Sequence, residues 1–197
     1  MTKLPIPAPV LVLSLALAGC ISLTPKPPSF LLTLSPAAPI AVGQVQRTPG
    51  ASAMTIAIPS VPQELGTLRL PVRSSPTTVA YLQDARWVEP INRQFARLLS
   101  DTLTTRAGRA IVSDRQLGTD VQTSLTGELR AFGVDATAGA VVVTFDAALI
   151  RTGGAPLEKR RFEARVPVAE VTPGPVGTAL NQAANQVATE VADWVGK

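Results

Sequence analysis

Leu17-Ala18-Gly19-Cys20 places the only cysteine of the chain directly behind one leucine and two small residues, a spacing with a specific chemical use. Cleavage before Cys20 makes it the first residue of the mature protein. Its thiol then takes a thioether-linked diacylglycerol, and its freed amine takes a third acyl chain. What precedes it fits a signal segment, which has a charged start, an apolar middle of roughly 7–15 residues and small residues at the cut. Lys3 supplies the charge and Val10–Ala18 the apolar middle. A membrane-spanning helix needs roughly 20 apolar residues, and this run of nine, behind Pro5, Pro7 and Pro9, falls well short. Each buried methylene adds about 0.8 kcal/mol and one chain alone holds only marginally, so two or three chains on Cys20 fix the protein to a leaflet. These residues describe a bacterial lipoprotein.

Little else in the chain is equipped for covalent or proton chemistry. Histidine is absent, which removes the side chain most used for proton transfer near neutral pH and the commonest metal ligand. Serine-histidine and cysteine-histidine nucleophiles are therefore excluded. Glu89, Asp101, Glu128, Asp135 and Asp146 remain as carboxylates for an envelope hydrolase, but no two of them stand in a recognisable acid/base context, and general acid–base work needs a positioned, tuned group. The sequence predicts no catalytic residue, no metal site and no cofactor.

Removing residues 1–19 from the 197 leaves 178, with 17 basic residues against 14 acidic ones. That length suits one compact domain and a tether. The one short basic cluster, Lys159-Arg160-Arg161, is interleaved with Glu158 and Glu163 like a solvated strand face. Nucleic-acid binders gather their basic residues into a patch or stripe, so no nucleic-acid partner is expected.

The elements that must carry the anchored domain follow from periodicity. Residues 20–29 are the acylated cysteine and a polar, proline-rich tether; such a chain stays extended and spans about 3.1 Å per residue, roughly 25–30 Å in all. Phe30–Leu34 is a first strand, and Pro36–Ala53 a loop rich in Pro, Ala and Gly. Met54–Ile58 alternates, with Met54, Ile56 and Ile58 on one face. Leu68–Leu70 and Thr77–Leu82 are further short strands. From Pro90, Ile91, Phe95, Leu98, Leu99, Thr102 and Leu103 recur at helical spacing, with Arg93, Arg97, Asp101 and Thr104 opposite and Gly108 ending the helix. Ala110–Val112 is a short strand. Val121–Phe132, with a bulge at Gly127, Val141–Ile150 and Leu157–Val168 form an antiparallel meander. Pro173-Gly174-Pro175 breaks the chain before a final helix over residues 176–195, whose stripe runs Val176, Leu180, Ala183, Ala184, Val187, Val191, Trp194 and Val195. The expectation is a single α+β domain over residues 30–197, a mostly antiparallel sheet packed against two amphipathic helices.

The signal and Cys20, the strand at Phe30–Leu34, the run Arg86-Trp87-Val88-Glu89-Pro90 into the first helix, Thr126-Gly127-Glu128-Leu129 with Phe132, and a last helix ending in Trp194-Val195 together resemble the ABC-type transport auxiliary lipoproteins, the group that includes paraquat-inducible protein C. Val88 stands where that group has a small residue. The resemblance implies a non-enzymatic periplasmic part of a lipid transport system. Its partner would be a mammalian-cell-entry (MCE) domain protein working with an ABC permease and ATPase, and its membrane contact the acyl chains on Cys20. A ring-shaped MCE partner would, by analogy, bring several copies together as a homo-oligomer. Trp87 is a candidate contact for that partner, although large aromatics are highly buried on average and a tryptophan ahead of a helix more often packs into the core, as would Trp194. A second reading with the same anchor is a lipoprotein that regulates a cell-wall enzyme. Ile21 follows Cys20, with no aspartate to signal inner-membrane retention, so the expected location is the periplasmic face of the outer membrane.

Overall fold

The computed structural model of the chain describes residues 29–43, 53–112, 121, 123–153 and 156–196. Among them run β1 (Phe30–Leu32), β2 (Met54–Ile56), β3 (Pro71–Ser75), β4 (Thr78–Tyr81), β5 (Ala85–Trp87), α1 (Ile91–Arg106), β6 (Thr123–Asp135), β7 (Ala140–Arg151), β8 (Glu158–Pro167) and α2 (Pro173–Val195). The main sheet has the order β4-β3-β6-β7-β8, with β2 also on β6. The meander β6-β7-β8 is antiparallel throughout, as its alternating patterns predict. The parallel pairs are a finding. β2 and β3 lie end to end along one edge of β6, β2 at Thr123–Leu125 and β3 at Val134–Asp135. β1 and β5 form a separate parallel pair. The result is α+β, one domain, with a mixed sheet of mostly antiparallel strands.

Alternation explains the core. On β7, Val141, Val143, Phe145, Ala147 and Leu149 face the helices and are buried. On β6 the inward residues are Leu125 and Leu129, then Phe132 and Val134. An inward set that changes from odd to even requires one extra residue, and the register slips between Leu129 and Ala131, which puts the bulge at Arg130. The bulge expected at Gly127 is thus three residues further on. Gly127 has another reason to be glycine: a Cβ there would lie 2.2 Å from the Asp146 carbonyl oxygen and 2.8 Å from the Phe145 ring.

α1 buries Ile91, Phe95, Leu98, Leu99 and Leu103 as its spacing predicts, and Gly108, at φ 61°, follows its end. Thr104, expected outside, is buried. α2 begins at Pro173 rather than 176, because prolines fit a first turn whose N–H groups have no helical partner. Its alanines at 179, 183, 184, 188 and 192 are buried with the valines between them, letting α2 lie close to both α1 and the sheet. Arg106 pairs with Asp193 at the C-terminal ends of the two helices, while Leu34 and Ser35 bridge Gln94 and Asn181 nearer their starts, so the helices run the same way.

Three short expectations shift. Leu68–Leu70 is not a strand; Leu70 is buried and the strand begins at Pro71. Ile58 lies beyond β2 and is exposed. Ile111 makes a single bridge to Met54 where a strand was expected.

Candidate functional site

Leu17, Ala18, Gly19 and Cys20 lie outside the described residues. The structure does show how residues 32–37 are held. Leu32 packs over α2 at Gly177, where a Cβ would come within 3.0 Å of Leu32 Cδ2. Beyond it the chain is gripped by side-chain amides. Gln94 Oε1 accepts the Leu34 N–H at 2.8 Å, Asn181 Oδ1 accepts from Ser35 N–H at 2.9 Å, and Asn185 Oδ1 accepts from Ala37 N–H at 2.7 Å. Asn185 Nδ2 donates back to the Ser35 carbonyl at 2.9 Å. Gly177, Asn181 and Asn185 recur every four residues and so line one stripe of α2. An extended segment with no strand neighbour must find partners for its backbone groups, and these three amides supply them. The two asparagines, four apart on a helix whose buried face is mostly Ala and Val, were the sequence signal for this grip, and sequence reasoning missed it.

On the far side of the sheet from the helices, β3 and the outer faces of β6, β7 and β8 enclose a cleft of about 320 Å³. Val142 and Thr144 are buried at its floor. Its walls are ion pairs. Asp146 accepts both arms of Arg161 at 2.6 and 2.7 Å, with Arg130, displaced outward by the bulge, 3.7 Å away. Glu163 accepts from Arg165 and from the Thr144 hydroxyl, each at 2.8 Å, and Arg165 continues to Asp135 at 3.4 Å. Arg73 meets Glu64 at 2.7 Å. The Arg161 hydrogen bonds hold the Asp146 carboxyl below its usual range, Arg165 and then Thr144 do the same for Glu163, and the Thr137 hydroxyl and turn amides do so for Asp135.

The carboxylates considered for proton chemistry are thereby accounted for. Asp135, Asp146 and Glu128 belong to this lattice, and Glu89 is held low chiefly by its hydrogen bond from Arg97. Asp101 alone is pushed up, by partial burial, against the pull of Arg97. Glu128 and Asp146 lie opposite each other on β6 and β7, and Arg130 reaches both carboxylates, at 3.2 and 3.7 Å. Among the described residues no group of three or more acidic or cysteine side chains is placed to hold a metal ion.

Trp87 is 1 % exposed and packs edge-on to Phe132 at 5.5 Å between ring centres. Phe132, Phe95 and Phe145 continue the aromatic chain at 6.4 and 5.3 Å. Trp87 is thus a core residue and offers no surface to a partner, which corrects the contact role considered for it. Among the described residues its indole N–H has no hydrogen-bond partner. Trp194 is half-buried on Phe162 at 5.6 Å. Among the described residues no helix is long and apolar enough to cross a membrane.

The family model described as "ABC-type transport auxiliary lipoprotein component" matches residues 32–192. Comparison with functionally curated proteins finds no match. Among solved structures, a protein from Xanthomonas campestris is similar at 21 % identity and a TM-score of 0.66, covering 87 % of this chain and 94 % of that one. Another, titled only as an uncharacterized protein, is similar at 19 % identity and a TM-score of 0.67, covering 86 % and 99 %. At these identities the two share the fold.

Proposed function

This chain belongs to the family of ABC-type transport auxiliary lipoprotein components, and on that premise we propose that it is the membrane-anchored periplasmic subunit of an MCE-type ABC transport system, docking on the MCE-domain protein to support phospholipid movement between inner and outer membranes. The observation that carries this is the family match over residues 32–192, which takes in the whole sheet and nearly all of both helices rather than one motif. The role is not enzymatic, in keeping with Glu89, Asp135, Asp146 and Glu163, which arginines or turn donors hold ionised. Acylation at Cys20 supplies the anchor, and Ile21 beside it directs the protein to the outer membrane. The amide grip on residues 34–37 also supports the reading, since a chain tethered through its N-terminus transmits any pull to that first segment.

Affinity purification of the tagged, full-length protein from its own membranes in mild detergent, followed by mass spectrometry, tests the proposal. Co-recovery of an MCE-domain protein with a permease and an ATPase is the expected result. Reproducible recovery of a cell-wall synthase without any transport subunit overturns it in favour of a regulator of wall synthesis.

A further inference from the structure

The small sheet β1-β5 carries a feature that the docking role does not use. Phe30, Leu31, Leu68 and Val88 are exposed large apolar side chains, Leu31 to 66 %. Backbone pairing gathers them. Leu31 lies opposite Arg86, Val88 N–H donates to the Leu32 carbonyl, and Trp87 N–H donates to the Leu68 carbonyl. The other exposed apolar side chains, such as Ile58, Ile150, Leu157 and Val171, are spread elsewhere along the chain. Two cations join the patch. Arg86 is exposed beside Leu31, and Arg69 lies over the Tyr81 ring at 4.1 Å. Among the described residues neither arginine has an ion-pair partner, a state shared with Arg93, Arg109 and Arg160, whereas Arg73, Arg97, Arg106, Arg130, Arg151, Arg161 and Arg165 are paired. Asp84, whose carbonyl receives the Phe30 N–H, is the one acidic residue of β1, β5 and the turn before β5.

We infer that this patch rests on the phospholipid surface that holds the anchor, with Leu31, Val88 and Phe30 entering the headgroup boundary and Arg86 and Arg69 meeting anionic headgroups. The inference rests on the acylated-anchor reading. Only nine residues separate Cys20 from Phe30, so the acyl chains and the patch lie at one end of the molecule, and a tether of roughly 25–30 Å at full extension permits contact and does not hold the domain away. Apolar side chains mixed with unpaired cations are the composition that settles at a bilayer interface, the first by burying area at the acyl boundary and the second by attraction to anionic lipid. The consequence is an oriented domain: with β1-β5 down, the far ends of α1 and α2 and of the β7-β8 hairpin point into the periplasm.

The test uses the full-length, acylated protein in vesicles of phosphatidylethanolamine and phosphatidylglycerol that carry brominated lipid. With Cys20 blocked by its acyl chain, Leu31→Cys, Arg86→Cys and Val88→Cys each give one reactive thiol for an environment-sensitive fluorophore, and Lys159→Cys on β8 serves as the remote control. Quenching at 31 and 88 at least about twice that at 159 is expected for side chains entering the boundary region, weakening when phosphatidylglycerol is replaced by phosphatidylcholine. Equal quenching at 31, 88 and 159 in protein whose intact mass includes the acyl chains overturns the inference and leaves the anchor standing. Protein without acyl mass that floats with no vesicle overturns both. Disulfide-linked dimers through position 31, without lipid quenching, assign the patch to a second copy and also overturn it.

Discussion

Gln94 Oε1 accepts the backbone N–H of Leu34 at 2.8 Å, joining α1 to the first segment of the domain across 60 residues of sequence. The same side chain, 2 % exposed, donates from Nε2 to the Glu89 carbonyl at 3.0 Å. Gln94→Leu leaves both backbone groups unsatisfied, which costs about 1–3 kcal/mol for each buried group so orphaned. Gln94→Glu keeps the bond from Leu34 but sets a buried carboxylate against the Glu89 carbonyl, so it is destabilised at pH 7 and partly recovers in acid, where the protonated carboxyl donates again. Urea denaturation at pH 7 and in acid checks both variants, and hydrogen exchange at residues 34–37 should rise in the leucine variant before global unfolding does.

Gly127→Ala should be among the most damaging single changes in the sheet. The added Cβ meets a backbone carbonyl at 2.2 Å and an aromatic ring at 2.8 Å, neither of which is the flexible end of a side chain. Overpacking of this kind costs about 3 kcal/mol or more. Gly174→Ala, which meets nothing within 4 Å, is the matched control and should leave the melting temperature within a few degrees.

Trp87→Ala should cost about 3–5 kcal/mol, as for other large aromatics removed from a core, and Trp87→Phe far less, because it also removes an indole N–H that has no partner among the described residues. Fluorescence separates the two tryptophans. In a Trp194→Phe background the remaining emission should be blue-shifted and shielded from acrylamide; emission typical of water would contradict the burial of Trp87.

Stability should be flat from pH 6 to 8 and fall in acid. The chain has no histidine, so no imidazole charges over the neutral range. Asp135, Asp146, Glu163 and Glu89 all have lowered folded-state pKa values, and such groups contribute stability above their unfolded value, near 4, that is lost as pH falls through the folded one. Asp101, pushed up by burial, has the opposite sign and is outnumbered. Denaturation midpoints between pH 6 and pH 3 check this. Asp146→Asn should lower stability at pH 7 and shallow the acid decline.

The sequence made the long elements legible for a physical reason: in α1, α2 and the β6-β7-β8 meander one face is buried along most of the length, so period alone identifies them. It failed where partners are distant. Nothing local marks β2 and β3 as neighbours along one edge of β6, because parallel pairing is set by what lies on the other side of a long connection. The bulge went to Gly127 because glycine was the visible irregularity, whereas the change of inward set from Leu129 to Phe132 was the truer sign. Trp87 was read two ways because exposure of a lone aromatic depends on its neighbours, and Phe132 is one of them. Cys20 is the reverse case: the acylation proposed for it is argued from four adjacent residues and owes nothing to the fold.

The grip of Asn181 and Asn185 on residues 35–37 also bears on when this molecule is able to assemble. The first described segment is held by the last helix, across 146 to 150 residues, and β2 has no strand to join until β6 follows it. Contacts that must close such long loops form slowly and together. A chain leaving the ribosome therefore cannot close its core until its final helix is made, even though the β3-β4 hairpin and the β6-β7-β8 meander precede it, so it stays incompletely folded during synthesis, the condition in which a polypeptide is threaded across a membrane. Its last twenty residues act as the latch that ends that state.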